Sequence, residues 1–196
     1  MSDTTLGETT GRASSLRFRL AGAADASRVA RLHADSWRRH YRGAYADTYL
    51  DGDLDVDRLA VWSARLADPA GTVTIAAEDG VDLVGFVHVV LDDDDRWGSL
   101  VDNLHVVWNR QRNGIGRALL ARAAATVVAQ ACTRRLYLWV QEQNVAAQHF
   151  YRALGGVEVE RTPLEPPGGV PARLHGTPYK LRMAWPDASQ LASQPG

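Results

Sequence analysis

Two glycines one residue apart, Gly114 and Gly116, stand behind Arg110 and Arg112 and ahead of Arg117 in the stretch "NRQRNGIGRALL", residues 109–120, which runs on into good helix formers. A strand, a glycine turn and a helix start leave backbone N–H groups unpaired at the positive end of the helix dipole, which suits an anion. With no side chain at either glycine a phosphate can come close to the main chain, and the three arginines can add charge-assisted hydrogen bonds. Pyrophosphate is the natural guest. The nucleotide P-loop is excluded, because the stretch has neither its lysine nor its Ser/Thr. The dinucleotide fingerprint requires a third glycine where Leu119 stands. An ordinary capped helix start with solvated arginines also fits the glycines taken alone.

A second stretch, "NVAAQHFYRALGG" from Asn144, places Asn144, Gln148 and Tyr151 within a narrow helical arc, with Ala147, Phe150 and Leu154 on a separate apolar arc. The expectation is one face that packs and another that presents polar groups, with Tyr151 equally readable as a core-edge aromatic. Trp37, Tyr41, Tyr45 and Tyr49 can wall a site for an amine or an apolar side chain, or be core and rim. Asp51, Asp53, Asp55 and Asp57, with Asp92 to Asp95, read first as solvated turns and second as an attraction for a cationic acceptor.

These residues need a frame. A chain of 196 residues with 45% hydrophobic content suffices for one core, and a net charge of −1 gives no overall field for nucleic acid or an anionic membrane. Six scattered histidines show no metal-ligand spacing, so no metal is expected. The single cysteine, Cys132, permits no internal disulfide, fits a reducing cytoplasm, and reads as a small buried apolar residue. Residues 1–15 read as a disordered leader, 16–185 as one domain, and 186–196 as a disordered tail.

Within that domain "LRFRL" is a strand. Helices follow from Ala23 to about Arg39 and from Leu54 to Leu66, the latter with Val56, Leu59, Trp62 and Leu66 on one side. Between them "YRGAYADTYLDGD" is a candidate substrate loop. Asp79-Gly80 marks a hairpin, "SLVDNLHVV" is a third strand of that group, and Ile115 to about Gln130 is a helix packed through Ile115, Leu119, Ala123 and Val127. "RLYLWVQ", the Asn144 helix, Val157 to Glu160, a loop over 162–176 and "YKLRMAW" complete the order β-α-α-β-β-β-α-β-α-β-β. That is an α/β domain with a mixed sheet flanked by helices.

Both stretches resemble signatures of the GCN5-related N-acetyltransferase (GNAT) family. Gln111, Gly114 and Gly116 match its Q/R-x-x-G-x-G/A pattern, and Asn144, Ala147, Phe150, Tyr151, Leu154 and Gly155 match a second. The resemblance implies a mostly antiparallel sheet whose central parallel strands splay, with the pantetheine arm of acetyl-CoA in the gap. Leu104 and Val106 would hold pantetheine, with the Val106 N–H on the thioester carbonyl, and the backbone of Gln111, Arg112, Asn113, Gly114, Ile115, Gly116 and Arg117 would cradle the pyrophosphate. Asn144 would bond the arm, and Tyr151 would protonate the departing thiolate. The nearest fit to a base is Asp102, which strand alternation puts beside Leu104 and Val106 with His105 turned away; His105 is second, and a water chain is open. Trp37, Tyr41 and Tyr45 would contact an acceptor held between Tyr41–Asp53 and residues 162–176. The implied reaction is acetylation of a primary amine on a small molecule by direct attack. A protein N-terminal or lysine acetyltransferase and a silent CoA-binding module are the alternatives, and a homodimer is left open.

Overall fold

The computed structural model describes residues 16–193; the expected leader and the last three residues of the expected tail lie outside them. In chain order the elements are β1 (Leu16–Leu20), α1 (Ala26–His40), α2 (Asp47–Leu50), α3 (Leu54–Ala67), β2 (Thr72–Asp79), β3 (Asp82–Asp94), β4 (Gly98–Val106), α4 (Ile115–Gln130), β5 (Leu136–Gln141), α5 (Val145–Ala153), β6 (Val157–Pro163), β7 (Tyr179–Trp185) and α6 (Ser189–Ala192). The strands form one sheet in the order β1-β2-β3-β4-β5-β7-β6, antiparallel except between β4 and β5. On one face α4 buries Leu119, Ala123 and Val127 against Val87, Val101 and Leu138. On the other, α1 and α3 pack Val29, Leu32, Trp62 and Leu66 over Phe86.

The central pair is short. β4 and β5 pair from Ser99↔Leu136 to Val101↔Leu138, although β4 runs on to Val106 and β5 to Gln141. The parting begins at a bulge: His88 of β3 faces Asn103 while its neighbour Val89 faces Val101, so Asp102 is one residue too many for the ladder. Beyond it the strands diverge.

Four expectations require correction. On α3 the buried stripe is Leu54, Arg58, Trp62 and Leu66, whereas Val56 and Leu59 are exposed, because the Arg58 guanidinium stacks on Trp37 and pairs with Asp57. Cys132 is exposed in the turn after α4, where its N–H donates to the Asp92 carboxylate. The stretch after Pro186 is ordered as far as Ser193, because Ala188 and Leu191, three residues apart, bury their side chains in the α4 core. The Tyr41–Asp53 loop contains α2, with Tyr45, Tyr49 and Leu50 buried against Trp37. No helix among the described residues is long and apolar enough to cross a membrane.

Candidate active site

A cavity of about 940 Å³ runs from the start of α4, through the gap between β4 and β5, to the aromatic cluster of α1. At its α4 end the first intrahelical bond is Ala118 N–H to Gly114 C=O, so the N–H groups of Ile115, Gly116 and Arg117 lie ahead of any acceptor in the helix. Two left-handed residues shape this turn, Gly114 at φ 79° and Arg112 at φ 63°. A non-glycine residue there costs about 1 kcal/mol or more, which marks the turn as conformationally specified. Alternation of this kind gathers successive N–H groups into an anion-binding concavity.

A Cβ at Gly116 would lie 3.6 Å from Phe150 Cζ and 3.8 Å from Val106 Cγ2, so this glycine is where α4, β4 and α5 meet around the cavity. Gln111 Nε2 donates to Val106 O at 3.3 Å and ties the turn to the end of β4. Gln111, Arg112, Gly114, Gly116 and Arg117 reach the cavity; Asn113 does not, and Ile115 is 2% exposed with its side chain in the core, offering only its main chain. Arg110 is turned away to pair with Asp79 of β2.

Along the gap, Val107 N–H bonds Val84 O of β3. Main-chain groups alternate between the two edges of a strand, so the N–H groups of Leu104 and Val106 point the other way, toward β5. Asn144 caps α5, its Oδ1 accepting from Ala147 N–H at 3.1 Å, which leaves Nδ2 as its donor on the cavity wall. The two arcs of α5 do not divide as expected, although Leu154 of the apolar arc is buried in the core. Gln148 and Tyr151 are the buried side, with Gln148 Nε2 bonded to Glu142 O, and Ala147 and Phe150 are the half-buried wall of the cavity. Tyr151 is 9% exposed, and burial raises its phenol pKa, so the hydroxyl keeps its proton throughout the neutral range.

Asp102 is not where alternation put it. The bulge resets the facing of β4, so Asp102 turns toward the α1 and α3 layer with His105, while Leu104 and Val106 pack on the α4 side. There its carboxylate pairs with Arg65 Nη1 at 2.6 Å and accepts from Asn103 Nδ2. Trp37, Tyr41 and Tyr45 line the cavity, with Trp37 5.6 Å and 5.0 Å from the two tyrosine rings. Tyr49 lies behind them and donates to Asp57. The two loops expected to flank an acceptor are joined instead: Ala46 N–H bonds Arg173 O, His175 N–H bonds Ala44 O, and Tyr45 bridges Leu174. They form one wall. Of the aspartates of this region, Asp47 and Asp51 pair with Arg42 and Asp55 with Arg38.

Sequence reasoning missed Arg58 and His33, and named His105 as the second candidate base without its partner. His33 and His105 stack at 4.7 Å on the cavity wall; His33 Nδ1 accepts from Trp62 Nε1–H, and His105 Nδ1 is 2.8 Å from Ser36 Oγ. His33, Ser36 and Trp37 share one helical face, a spacing that could have signalled them. Burial holds both imidazoles neutral, pushing His105 down to about 3, and does the same to His88 beneath them, at about 4. An unfolded histidine protonates near 6.5, so stability fully present above that value is lost as pH falls toward the folded pKa. Between pH 7 and pH 5 His88 alone accounts for about 2 kcal/mol of lost stability. Denaturant titrations at the two values should show at least this loss, and His88→Asn should reduce it. Among the described residues no group of three or more His, Cys, Asp or Glu side chains is placed to hold a metal ion.

The model of the Acetyltransferase (GNAT) family matches residues 32–155, which span β4, the glycine turn and α5. The chain belongs to the GNAT family. It is 27% identical over 169 residues to the uncharacterized N-acetyltransferase YuaI of Bacillus subtilis (strain 168), covering 85% of this chain and 91% of YuaI. Among solved structures, the PaiA N-acetyltransferase of Thermoplasma acidophilum in complex with coenzyme A shares the GNAT fold with a TM-score of 0.68 at 16% identity, over 87% of this chain and 99% of PaiA. The Salmonella typhimurium protein yncA with acetyl-CoA aligns at a TM-score of 0.63 and 20% identity, over 88% and 94% of the two chains.

Proposed function

We propose that this GNAT enzyme transfers the acetyl group of acetyl-CoA to a primary amine of a small molecule by direct attack. One observation carries the reading: the parted strands form a continuous path from the uncommitted N–H groups of α4 to the Tyr151 hydroxyl. Those N–H groups, with Arg112 and Arg117, would hold the pyrophosphate; Leu104 and Val106 N–H groups and Asn144 Nδ2 would hold the arm. Bound there, acetyl-CoA supplies an activated acyl group.

The chain's residues do the rest. Val106 N–H would face the thioester oxygen, where charge grows during attack. Freed of one proton, the amine nitrogen forms the new C–N bond as the C–S bond breaks, while Tyr151 gives its proton to the leaving thiolate and regains one from the second proton the nitrogen sheds as the amide forms. Asp102, paired with Arg65 but partly exposed, accepts a hydrogen bond from the incoming ammonium and passes its proton to solvent. Closure of the loop wall over Tyr45 favours a small acceptor, since a polypeptide needs an open groove.

Acetyl-CoA at 100 times its Kd stabilises a folded protein by about 2.7 kcal/mol, a rise of several degrees in Tm. Millimolar acetyl-CoA should produce such a rise, and an amine screen should release free thiol. An unmoved Tm would sink the reading.

A further inference from the structure

The acceptor end of the cavity carries surplus positive charge, centred on the buried Arg58. Arg58 is 8% exposed, with its guanidinium carbon 4.4 Å from the Trp37 ring centre. Its Nε and Nη2 both donate to Asp57 Oδ2, which also accepts from the Tyr49 hydroxyl, and Asp57 Oδ1 lies 3.2 Å from Arg173 Nη1. One carboxylate therefore serves two guanidinium groups, and one full charge is left over. Nη1 of Arg58 is uncommitted among the described residues. Farther along α3, Arg65 and Asp102 cancel at 2.6 Å. Lys180 adds a further cation to the wall, stacked 4.5 Å from the Trp139 ring centre. Among the described residues Asp102 is the one carboxylate on this cavity wall.

A second observation points the same way. His33 Nδ1 accepts from Trp62, so the proton of the neutral ring sits on Nε2, and that buried donor has no acceptor among the described residues. Its ring centre is 4.7 Å from that of Trp37, the indole that also carries Arg58. A surplus guanidinium and an unsatisfied N–H both call for a hydrogen-bond acceptor bearing negative charge. A purely cationic amine offers neither.

We propose that the acceptor is an amine that also bears a carboxylate, anchored by the Arg58 guanidinium beside Trp37 with His33 Nε2–H as a second donor. The proposal rests on the acetyltransferase reading and narrows it to amino-acid-like substrates. In such a substrate the carboxylate neutralises the charge that Asp57 leaves unpaired, while the ammonium is directed to Asp102 and the acetyl group. Arg58 is thereby a specificity residue, and its planar fork suits a carboxylate better than a point charge would.

The test uses the full-length enzyme with acetyl-CoA and matched trios of acceptors: an amino acid, its carboxamide, and the amine lacking the carboxyl group, with spermidine alongside. In the best trio the amino acid should exceed both counterparts in kcat/KM by about 100-fold or more, as expected of a site built to pair a polar group. Arg58→Gln should raise KM for that amino acid about tenfold or more while acetyl-CoA affinity is retained, and Arg58→Lys should recover part of the loss. If Arg58→Gln does not fold, the wild-type trios decide alone. Equal rates within every trio, or preference for spermidine or the decarboxylated amine, would overturn the proposal and leave acetyl transfer standing. Silence with every acceptor despite bound acetyl-CoA would also overturn it. Silence together with an unmoved Tm would overturn both.

Discussion

Tyr151→Phe is expected to slow acetyl transfer by about 10²-fold or more, the contribution typical of a positioned general acid, while acetyl-CoA affinity stays within about twofold. The substitution removes one hydroxyl and keeps the ring, which packs at 6.3 Å from Trp185 and 5.2 Å from Phe150. The α5 packing is therefore retained. Because burial keeps the phenol protonated well above neutrality, no pH between 6 and 9 should mimic the variant. Steady-state rates over that range, with calorimetric binding of acetyl-CoA, distinguish loss of a proton donor from loss of a binding contact. An unchanged kcat would remove Tyr151 from the chemistry.

The second large effect is at Gly116. Gly116→Leu should weaken acetyl-CoA binding by about 100-fold or more, which is about 2.7 kcal/mol, because its branched side chain must fill the space between Phe150 and Val106. Gly116→Ala is the graded control. A bare Cβ stands at ordinary contact distances of 3.6 Å and 3.8 Å, so most of the affinity should survive. The added bulk faces the cavity and not the core, and alanine and leucine are better helix formers than glycine, so the unliganded Tm should not fall for either variant. Retained binding in Gly116→Leu would place the pyrophosphate elsewhere.

The regular parts of the fold were legible because local pattern and tertiary environment agree there. Ile115, Leu119, Ala123 and Val127 recur at helical spacing and are all buried, and the Asp79-Gly80 hairpin joins β2 to β3 as its turn residues require. The errors share a cause, which is dependence on a partner distant in sequence. Alternation misplaced Asp102 because a bulge is a property of two strands in register, and nothing within β4 announces that His88 and Val89 skip a residue. The stripe on α3 was misread because Arg58 owes its burial to stacking on Trp37 of α1, and hydrophobic counting scores an arginine as exposed. His33 escaped notice because its significance is an absent acceptor, which is visible only once its surroundings are known. The glycine turn, by contrast, is a local motif, and of the residues expected around it Arg110, drawn off by Asp79, and Asn113 do not reach the cavity.

The parting of β4 and β5 has a consequence for solubility. Two strand margins with free hydrogen-bonding groups are what aggregation feeds on, since any extended chain can dock there. Here the margins are recessed in the middle of the molecule, with α4 and α5 on one side and α1 on the other. Covered in this way, they are less open to the strand of a neighbouring molecule than the outer edges of the sheet, β1 and β6.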